Sequence, residues 1–542
     1  MGTYRLLLVF LSLLASASAQ QAPNDTFKVE GTVINSVTGK PLPRVLVQLS
    51  VRSVLTGPEG EFSFDGVAAG RASIMLMKPG YFGPGETPRS YNNAFDVGPD
   101  TGKIILKLAP EVVIAGHVTG QDEEPLEGAS MQVLGFREIE GRQVLMPVRG
   151  DVRTDEDGNF RIAGLPSGRY YLAVRAGNLA RRVLGAQTRK APEAYPAIVY
   201  YPGTADLAAA TALDLAPGQK VDTPFSISLS PAYKLAGKVV AAGEWKQINS
   251  PMIIDSLDQV LFTPEQFDAA SGAFEFRAVP AGTYTIRVSG SDLQNHYRFS
   301  THKVTVSGSV TNFHLSLQPG INIPVVERSE FNKPRERGSS CPWSDSNGEL
   351  HQSDCSDYPG ARVELISLDS VRLRFSSDWH PVKDPSDYAV NGVAPGKYMV
   401  RAQPSFGGYV QSLRSGNLDL LREVLTVPEE GSVAPIEVVL RDDPGTLKVI
   451  VHAEKPGQPA TILVLPDGAF FPSPNLIGNT STEVDFPPMA PGNYKVFAFD
   501  SLDGLDYGDP EALAKYASKA AAVTVTANGN ASVIVNVIHN GE

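Results

Sequence analysis

Cysteine is nearly missing from this 542-residue chain, which has two, Cys341 and Cys355, alongside three tryptophans and eight histidines. So few cysteines exclude a disulfide-dense small scaffold and a four-cysteine zinc framework. Long apolar runs are also missing: beyond the N-terminus nothing approaches the roughly 18 unbroken apolar residues a membrane helix needs, which predicts a soluble mature chain. Positive charge is in deficit, with a net charge of −12 spread along the chain. That balance argues against nucleic acid or an anionic membrane surface as the main partner. The one basic cluster, Arg181-Arg182 with Arg189-Lys190, reads as a solvated connecting segment.

Catalytic signatures are missing too. None of the histidines (His117, His296, His302, His314, His351, His380, His452, His539) begins a His-x-x-Glu or His-Glu-x-x-His pair. A zinc hydrolase needs such a pair because the metal activates water only from a fixed, open site. There is no Gly-x-Ser-x-Gly elbow, phosphate loop or dinucleotide fingerprint. The stretch Asp155-Glu-Asp157-Gly158-Asn159 opens like a calcium loop, but position twelve, where a bidentate glutamate belongs, is Pro166. It reads as a turn. These absences predict a non-enzyme with no metal site and no cofactor.

What is present begins with a leader. Arg5, an apolar core over Leu6 to Ala15 and the small residues Ala17-Ser18-Ala19 form a secretory signal peptide, residues 1–19, with cleavage before Gln20. The expected location is secreted, periplasmic or cell-surface. In that oxidising setting Cys341 and Cys355, which enclose a polar loop, read as a disulfide contributing about 3 kcal/mol in the chain-entropy model. A metal site combining both sulfurs with His351 and Asp354, or free thiols, are the alternatives.

One short pattern then recurs five times. Phe62-Ser-Phe64 leads to Gly70, Phe160-Arg-Ile162 to Gly168, Phe274-Glu-Phe276 to Gly282, Tyr388-Ala-Val390 to Gly396 and Val484-Asp-Phe486 to Gly492. The glycine always lies eight residues after the start, and in four copies a tyrosine follows two further on: Tyr170, Tyr284, Tyr398 and Tyr494. The glycines are 98, 114, 114 and 96 residues apart, too long a period for a solenoid and right for complete small domains. Pro-x-Gly or Pro-Gly before the tyrosine suits a tight turn, and the aromatics suit a core. Each module opens on a glycine in a β-rich run, such as Val29-Glu-Gly31-Thr-Val33. Each closes on an alternating strand near a proline, such as Phe313-His-Leu315-Ser-Leu317 before Pro319.

The expected architecture is all-β: a tandem array of about five immunoglobulin- or transthyretin-like antiparallel β-sandwiches over 25–109, 110–230, 231–318, 319–441 (with the cysteine loop inserted) and 442–540. Short linkers predict modules abutting as a semi-rigid rod. The one helix signal is Asp509-Pro510 followed by Glu511 to Ala521.

Modules one and two carry Gly-x-Val, then a Pro-Leu pair, then a threonine turn into Gly-x-Phe. In module two this is Gly116-His-Val118, Pro125-Leu126-Glu-Gly128-Ala129 and Thr154-Asp155-Glu-Asp-Gly158-Asn-Phe160. In module one it is Gly31-Thr-Val33, Gly39-Lys-Pro41-Leu42 and Thr56-Gly57-Pro-Glu-Gly60-Glu-Phe62, with Gly57 in place of the usual aspartate. This pattern resembles the carboxypeptidase regulatory-like domain, a transthyretin-like sandwich. Tyr200-Tyr201-Pro202-Gly203-Thr204 and Leu215-Ala-Pro-Gly218 resemble multi-repeat exported bacterial members of that family. Modules three to five keep the turn pattern and lose much of the front half. The resemblance implies a sandwich fold and a non-catalytic role, since in metallocarboxypeptidases the domain follows the zinc peptidase, and similar domains occur in surface and carbohydrate-binding proteins.

Two functions are expected from this reading. One is a binding protein whose sandwich-end loops contact carbohydrate or another envelope polymer or protein, with Trp343, Tyr200 and Tyr201 as candidate contacts. The other is a structural spacer or assembly module of the envelope without a small ligand.

Overall fold

The computed structural model describes residues 25–540 except 84–91, 121–122, 176–193, 197, 228, 242–243, 256, 294–296, 318–319, 333–339, 345–349, 355–358, 371–372, 378–387, 406–407, 454–459, 468–476, 481 and 503. The signal peptide lies outside the described residues. The chain divides into two compact units, 1–110 and 111–542. The first holds one sandwich and the second holds four.

All five sandwiches share one wiring plan. The opening strand (Thr26–Asn35, Val112–Thr119, Leu229–Ala241, Ile321–Glu330 or Gly445–His452) is flanked on both sides in its sheet. On one side it pairs antiparallel with the strand carrying the start of the repeated pattern: Glu61–Ala68, Asn159–Leu165, Ala273–Pro280, Ala389–Val393 or Glu483–Met489. On the other it pairs parallel with the closing strand of the same sandwich, for example Gly31 to Asn35 beside Ile104 to Leu108. The strand after the repeated glycine belongs to the opposite sheet, where it pairs antiparallel with Leu46–Leu49, Ser130–Ile139, Met252–Ile254, Ala361–Ser367 or Ala460–Pro466. The tight turn is therefore a bridge between the two layers. In the fifth sandwich the layers also join edge to edge, where Ala498 and Phe499 pair with Val537 and Ile538.

This plan explains the spacing. Gly31, Gly116 and Gly237 lie opposite Phe62, Phe160 and Phe274 in the ladder. A Cβ on those glycines would stand 2.7, 2.8 and 3.0 Å from the phenyl Cζ, and 2.2, 2.2 and 1.8 Å from the carbonyl oxygens of Ile104, Thr223 and Phe313. The ring thus fills the space a side chain would take. Across the turn, the tyrosine hydroxyl donates back to the carbonyl four residues earlier: Tyr170 to Pro166 at 2.8 Å, Tyr284 to Pro280 at 2.9 Å, Tyr398 to Ala394 at 2.8 Å and Tyr494 to Ala490 at 2.5 Å. This is a tyrosine corner, which pins the bridging turn to the core. The sequence pattern assigns these residues only bulk.

In the first two sandwiches a buried threonine does similar work. Thr56 Oγ1 donates to the Leu42 carbonyl and accepts from the Val45 amide; Thr154 does the same with Leu126 and Ala129. A main core cluster fills each sandwich, and each draws its buried residues from that sandwich alone.

Two expectations need correction. The helix is capped as predicted, Asp509 Oδ1 accepting the Glu511 amide at 2.9 Å, but it covers only Pro510–Ala514 before a 3-10 turn at Ala517–Lys519 and a strand from Ala521. The strand is needed as a partner for Gly492–Phe499, and that pairing overrides helix propensity. The abutting rod fails within 111–542, because the second sandwich contacts the fourth and the fifth as well as the third.

Candidate functional site

The sequence-predicted contact residues fall in three different settings. Tyr200 is 3% exposed, packed with Leu134 and Ala173, and burial pushes its hydroxyl up to about 12. It is buried, and its candidacy as a ligand contact is corrected: the strand Val199–Tyr200 pairs with Gly168–Arg175 and sets this ring on the sheet face away from the main core, in a cluster that Leu257 of the third sandwich packs against. Tyr201 points to the other face, as neighbouring strand residues do, and lies partly buried against the second core with its ring 6.1 Å from Phe225. Cys341 and Trp343 lie on Ser340–Ser344, which pairs with Leu350–Asp354 as a two-stranded sheet of its own, Cys341 opposite Ser353 and Trp343 opposite His351. Cys355, and with it the disulfide, lies outside the described residues. The Asp155 loop is a turn: Asp155 Oδ1 accepts the amides of Asp157 at 3.1 Å and Asn159 at 2.7 Å.

The chemistry concentrates instead where sandwiches of the second unit meet. The loop Asp255 to Val260 of the third sandwich touches both neighbours. Gln259 Oε1 accepts from Gln132 Nε2 of the second sandwich at 2.7 Å and from Arg175 at 3.4 Å, while Arg175 also donates to the Val260 carbonyl. Asp258 pairs with Arg287 at 2.6 Å and accepts from Ser370 of the fourth sandwich. Arg287 in turn lies 5.5 Å over the Phe299 ring, which stacks 6.1 Å from Phe375 of the fourth. Asp255 opens this loop and accepts the amides of Leu257 at 2.9 Å and Gln259 at 2.8 Å, and burial raises its carboxyl above its ordinary value.

A second meeting point is the tip of a long hairpin in the second sandwich. Ser130–Ile139 and Arg142–Arg153 are joined by Glu140-Gly141, both at positive φ, +52° and +79°. That is the conformation of a two-residue primed turn. Glu140 lies between Arg374 at 3.1 Å and Arg401 at 2.9 Å, and Arg401 also holds Glu364 at 2.7 Å, all three partners in the fourth sandwich. One residue on, the Gly141 carbonyl accepts the Gly508 amide of the fifth sandwich at 2.6 Å, and Gln143 Nε2 donates to the Leu505 carbonyl at 3.3 Å. The backbones approach so closely that a Cβ on Gly141 would stand 3.0 Å from Gly508 Cα.

Residues 113–223, the body of the second sandwich, match the family model of the carboxypeptidase regulatory-like domain. The second sandwich is a carboxypeptidase regulatory-like domain. No curated protein matches the chain. Among solved structures it is similar to a streptococcal ancillary pilin (12% identity, 54% of this chain and 99% of that one, TM-score 0.20). It is also similar to GBS52, the minor pilin of Streptococcus agalactiae (15%, 38% and 96%, TM-score 0.21), and to the shaft pilin SpaA of Lactobacillus rhamnosus GG (12%, 38% and 98%, TM-score 0.19). Likenesses at this level carry no argument about what this chain does.

Within the regulatory-like domain, then, the surfaces in use are the hairpin tip and the Gln132–Arg175 patch, and both are occupied by sibling sandwiches. Sequence reasoning misses them. The signal that was there is Glu138-Ile-Glu-Gly-Arg142, a turn dipeptide between alternating runs, which predicts a hairpin but not what its tip touches. Among the described residues no group of three or more His, Cys, Asp or Glu side chains could hold a metal ion, and no helix is long and apolar enough to cross a membrane.

Proposed function

We propose that this chain is a non-enzymatic, exported scaffold or assembly protein of the cell envelope, in which sandwiches are held at fixed positions by polar junctions. The observation that carries this reading is the pair of junctions around Gln259–Asp258 and Glu140–Gly141, where half-buried ions and amides tie the regulatory-like domain to three others. Buried polar contacts of this kind add little net stability and much geometric specificity. That is what a protein needs when its task is to hold surfaces in register. The leader sequence supports export.

Fractionation of cells carrying a tagged chain, together with turnover assays of the purified mature protein on peptide and glycan panels with and without divalent metal, tests this. The tagged chain is expected outside the cytoplasmic membrane with no turnover. Metal-dependent hydrolysis by the pure protein overturns the reading.

A second reading, carbohydrate or envelope-polymer binding, is favoured by the separate hairpin Ser340–Ser344 with Leu350–Asp354, an addition to the fourth sandwich that neither of its sheets uses. Affinity electrophoresis in polysaccharide gels discriminates: a mobility shift lost in Trp343→Ala supports binding there, and no shift across a broad panel removes it.

A further inference from the structure

The hairpin tip joins parts of the chain far apart in sequence: Glu140 is 234 and 261 residues from Arg374 and Arg401, and Gln143 is 362 from Leu505. The other junctions of the unit carry apolar packing or a covalent linker beside their polar bonds at Gln259, Asp258 and Asp443. The third and fourth sandwiches share stacked rings, Phe299 on Phe375. The second and third share Leu257, packed on the Leu134, Ala173 and Tyr200 cluster. The fourth and fifth are fixed through their linker: Arg441 grips Asp443 with two nitrogens at 3.0 and 2.8 Å, Tyr409 donates to the same carboxylate at 3.0 Å, and Asn332 donates to Asp442 at 2.8 Å.

At the tip, by contrast, the contacts of the described residues are polar: the two ion pairs of Glu140, the bonds of Gly508 to Gly141 and of Gln143 to Leu505, and hydrogen bonds of Tyr507 with Glu138 and of the Gln143 amide with Asp506, around a turn with almost no side-chain bulk. Arg374 keeps 43% of its side-chain exposure and Arg401 27%, while Glu140 between them keeps 16%, so solvent ions reach the pairs from the arginine side. Among the described residues no core cluster spans the tip, and each sandwich has a core of its own.

We propose that the Glu140–Gly141 tip is a releasable latch. Docked, it closes the second sandwich onto the fourth and fifth. Released, it lets the fourth and fifth move as one piece, pivoting on the third, while every sandwich stays folded. The docked contact is made of opposite charges and hydrogen bonds, so ionic strength and tension along the chain both work against it.

The test uses the full mature chain. Glu140→Lys sets a cation against Arg374 and Arg401. The expected result is a larger radius of gyration by small-angle scattering and amide exchange at 505–508 faster by about tenfold or more, with exchange unchanged in the strands Gly168–Arg175 and Gly396–Pro404. Gly508→Val, which adds bulk against Gly141 without touching charge, is expected to do the same, and raising salt is expected to move the unaltered chain in that direction. Unchanged radius and unchanged exchange in both variants overturn the proposal. So does a loss of protection in all strands together, because the tip would then be part of one cooperative unit.

Discussion

The first sandwich and the four that follow solve the same packing problem with different fittings. Both regions seat a phenylalanine over a strand glycine, Phe62 on Gly31 and Phe160 on Gly116, and both bolt a loop with a buried threonine, Thr56 or Thr154. They part at the bridging turn. Where the later sandwiches carry Tyr170, Tyr284, Tyr398 and Tyr494, the first carries Ala72, half-buried against its core. The glycine–phenylalanine pair is shared by the first three sandwiches, and the tyrosine corner is a clamp on the turn that the first does without. That clamp is found in all four sandwiches of the unit whose members also grip one another.

Four measurements sharpen or break this contrast. The largest effect is expected at Tyr398, fully buried and edge-on to Phe375. Tyr398→Ala should cost the fourth sandwich about 3–5 kcal/mol, read by urea unfolding followed by amide exchange in Ala361–Ser367. A loss below about 1 kcal/mol would mean the corner is decoration.

Next come Gly31→Ala and Gly116→Ala, whose added carbon meets a backbone oxygen at 2.2 Å in each case. Each should cost about 1–3 kcal/mol, and by similar amounts. Clearly unequal losses would show that the glycine–phenylalanine pair is not the shared requirement.

Smaller still is Tyr284→Phe, which removes only the hydroxyl and leaves the Pro280 carbonyl with one fewer donor. About 1 kcal/mol is expected in thermal or urea melts of the full chain.

The mildest is a pH effect. Burial pushes Tyr284 and Tyr494 up to about 12, whereas an unfolded tyrosine ionises near 10. The unfolded chain therefore releases these protons first. The stability they contribute is fully present below pH of about 10 and is lost as pH rises through about 12. Melting temperature should fall across that window, and fall less steeply in a Tyr284→Phe, Tyr494→Phe double variant. Parallel curves would break the link between corner and clamp.

Much of the fold was legible because its causes are local. Alternation marks Val533-Ile-Val535-Asn-Val537 as a strand with one wet face, and the eight-residue spacing fixes how far the chain runs before it must change layers. The bolts were legible as positions without roles: Thr154 was visible as part of a turn, but its two hydrogen bonds depend on where Leu126 and Ala129 come to lie. The candidate site was less legible. Tyr200 and Tyr201 are equally aromatic on paper, and only the pairing of Val199–Tyr200 with Gly168–Arg175 decides which one faces the core and which one faces the third sandwich. Glu140 looked like any surface glutamate, since no periodicity connects it to Arg401, 261 residues away.

One feature of the wiring bears on mechanics. In every sandwich the opening and closing strands lie side by side and run in the same direction, as Thr446 to His452 do beside Asn530 to Asn536. The chain therefore enters the pair at one end and leaves from the other. A pull on the two termini slides the strands along each other and loads the whole ladder of hydrogen bonds at once, whereas antiparallel terminal strands would be peeled apart bond by bond. Each sandwich is built to yield late under tension.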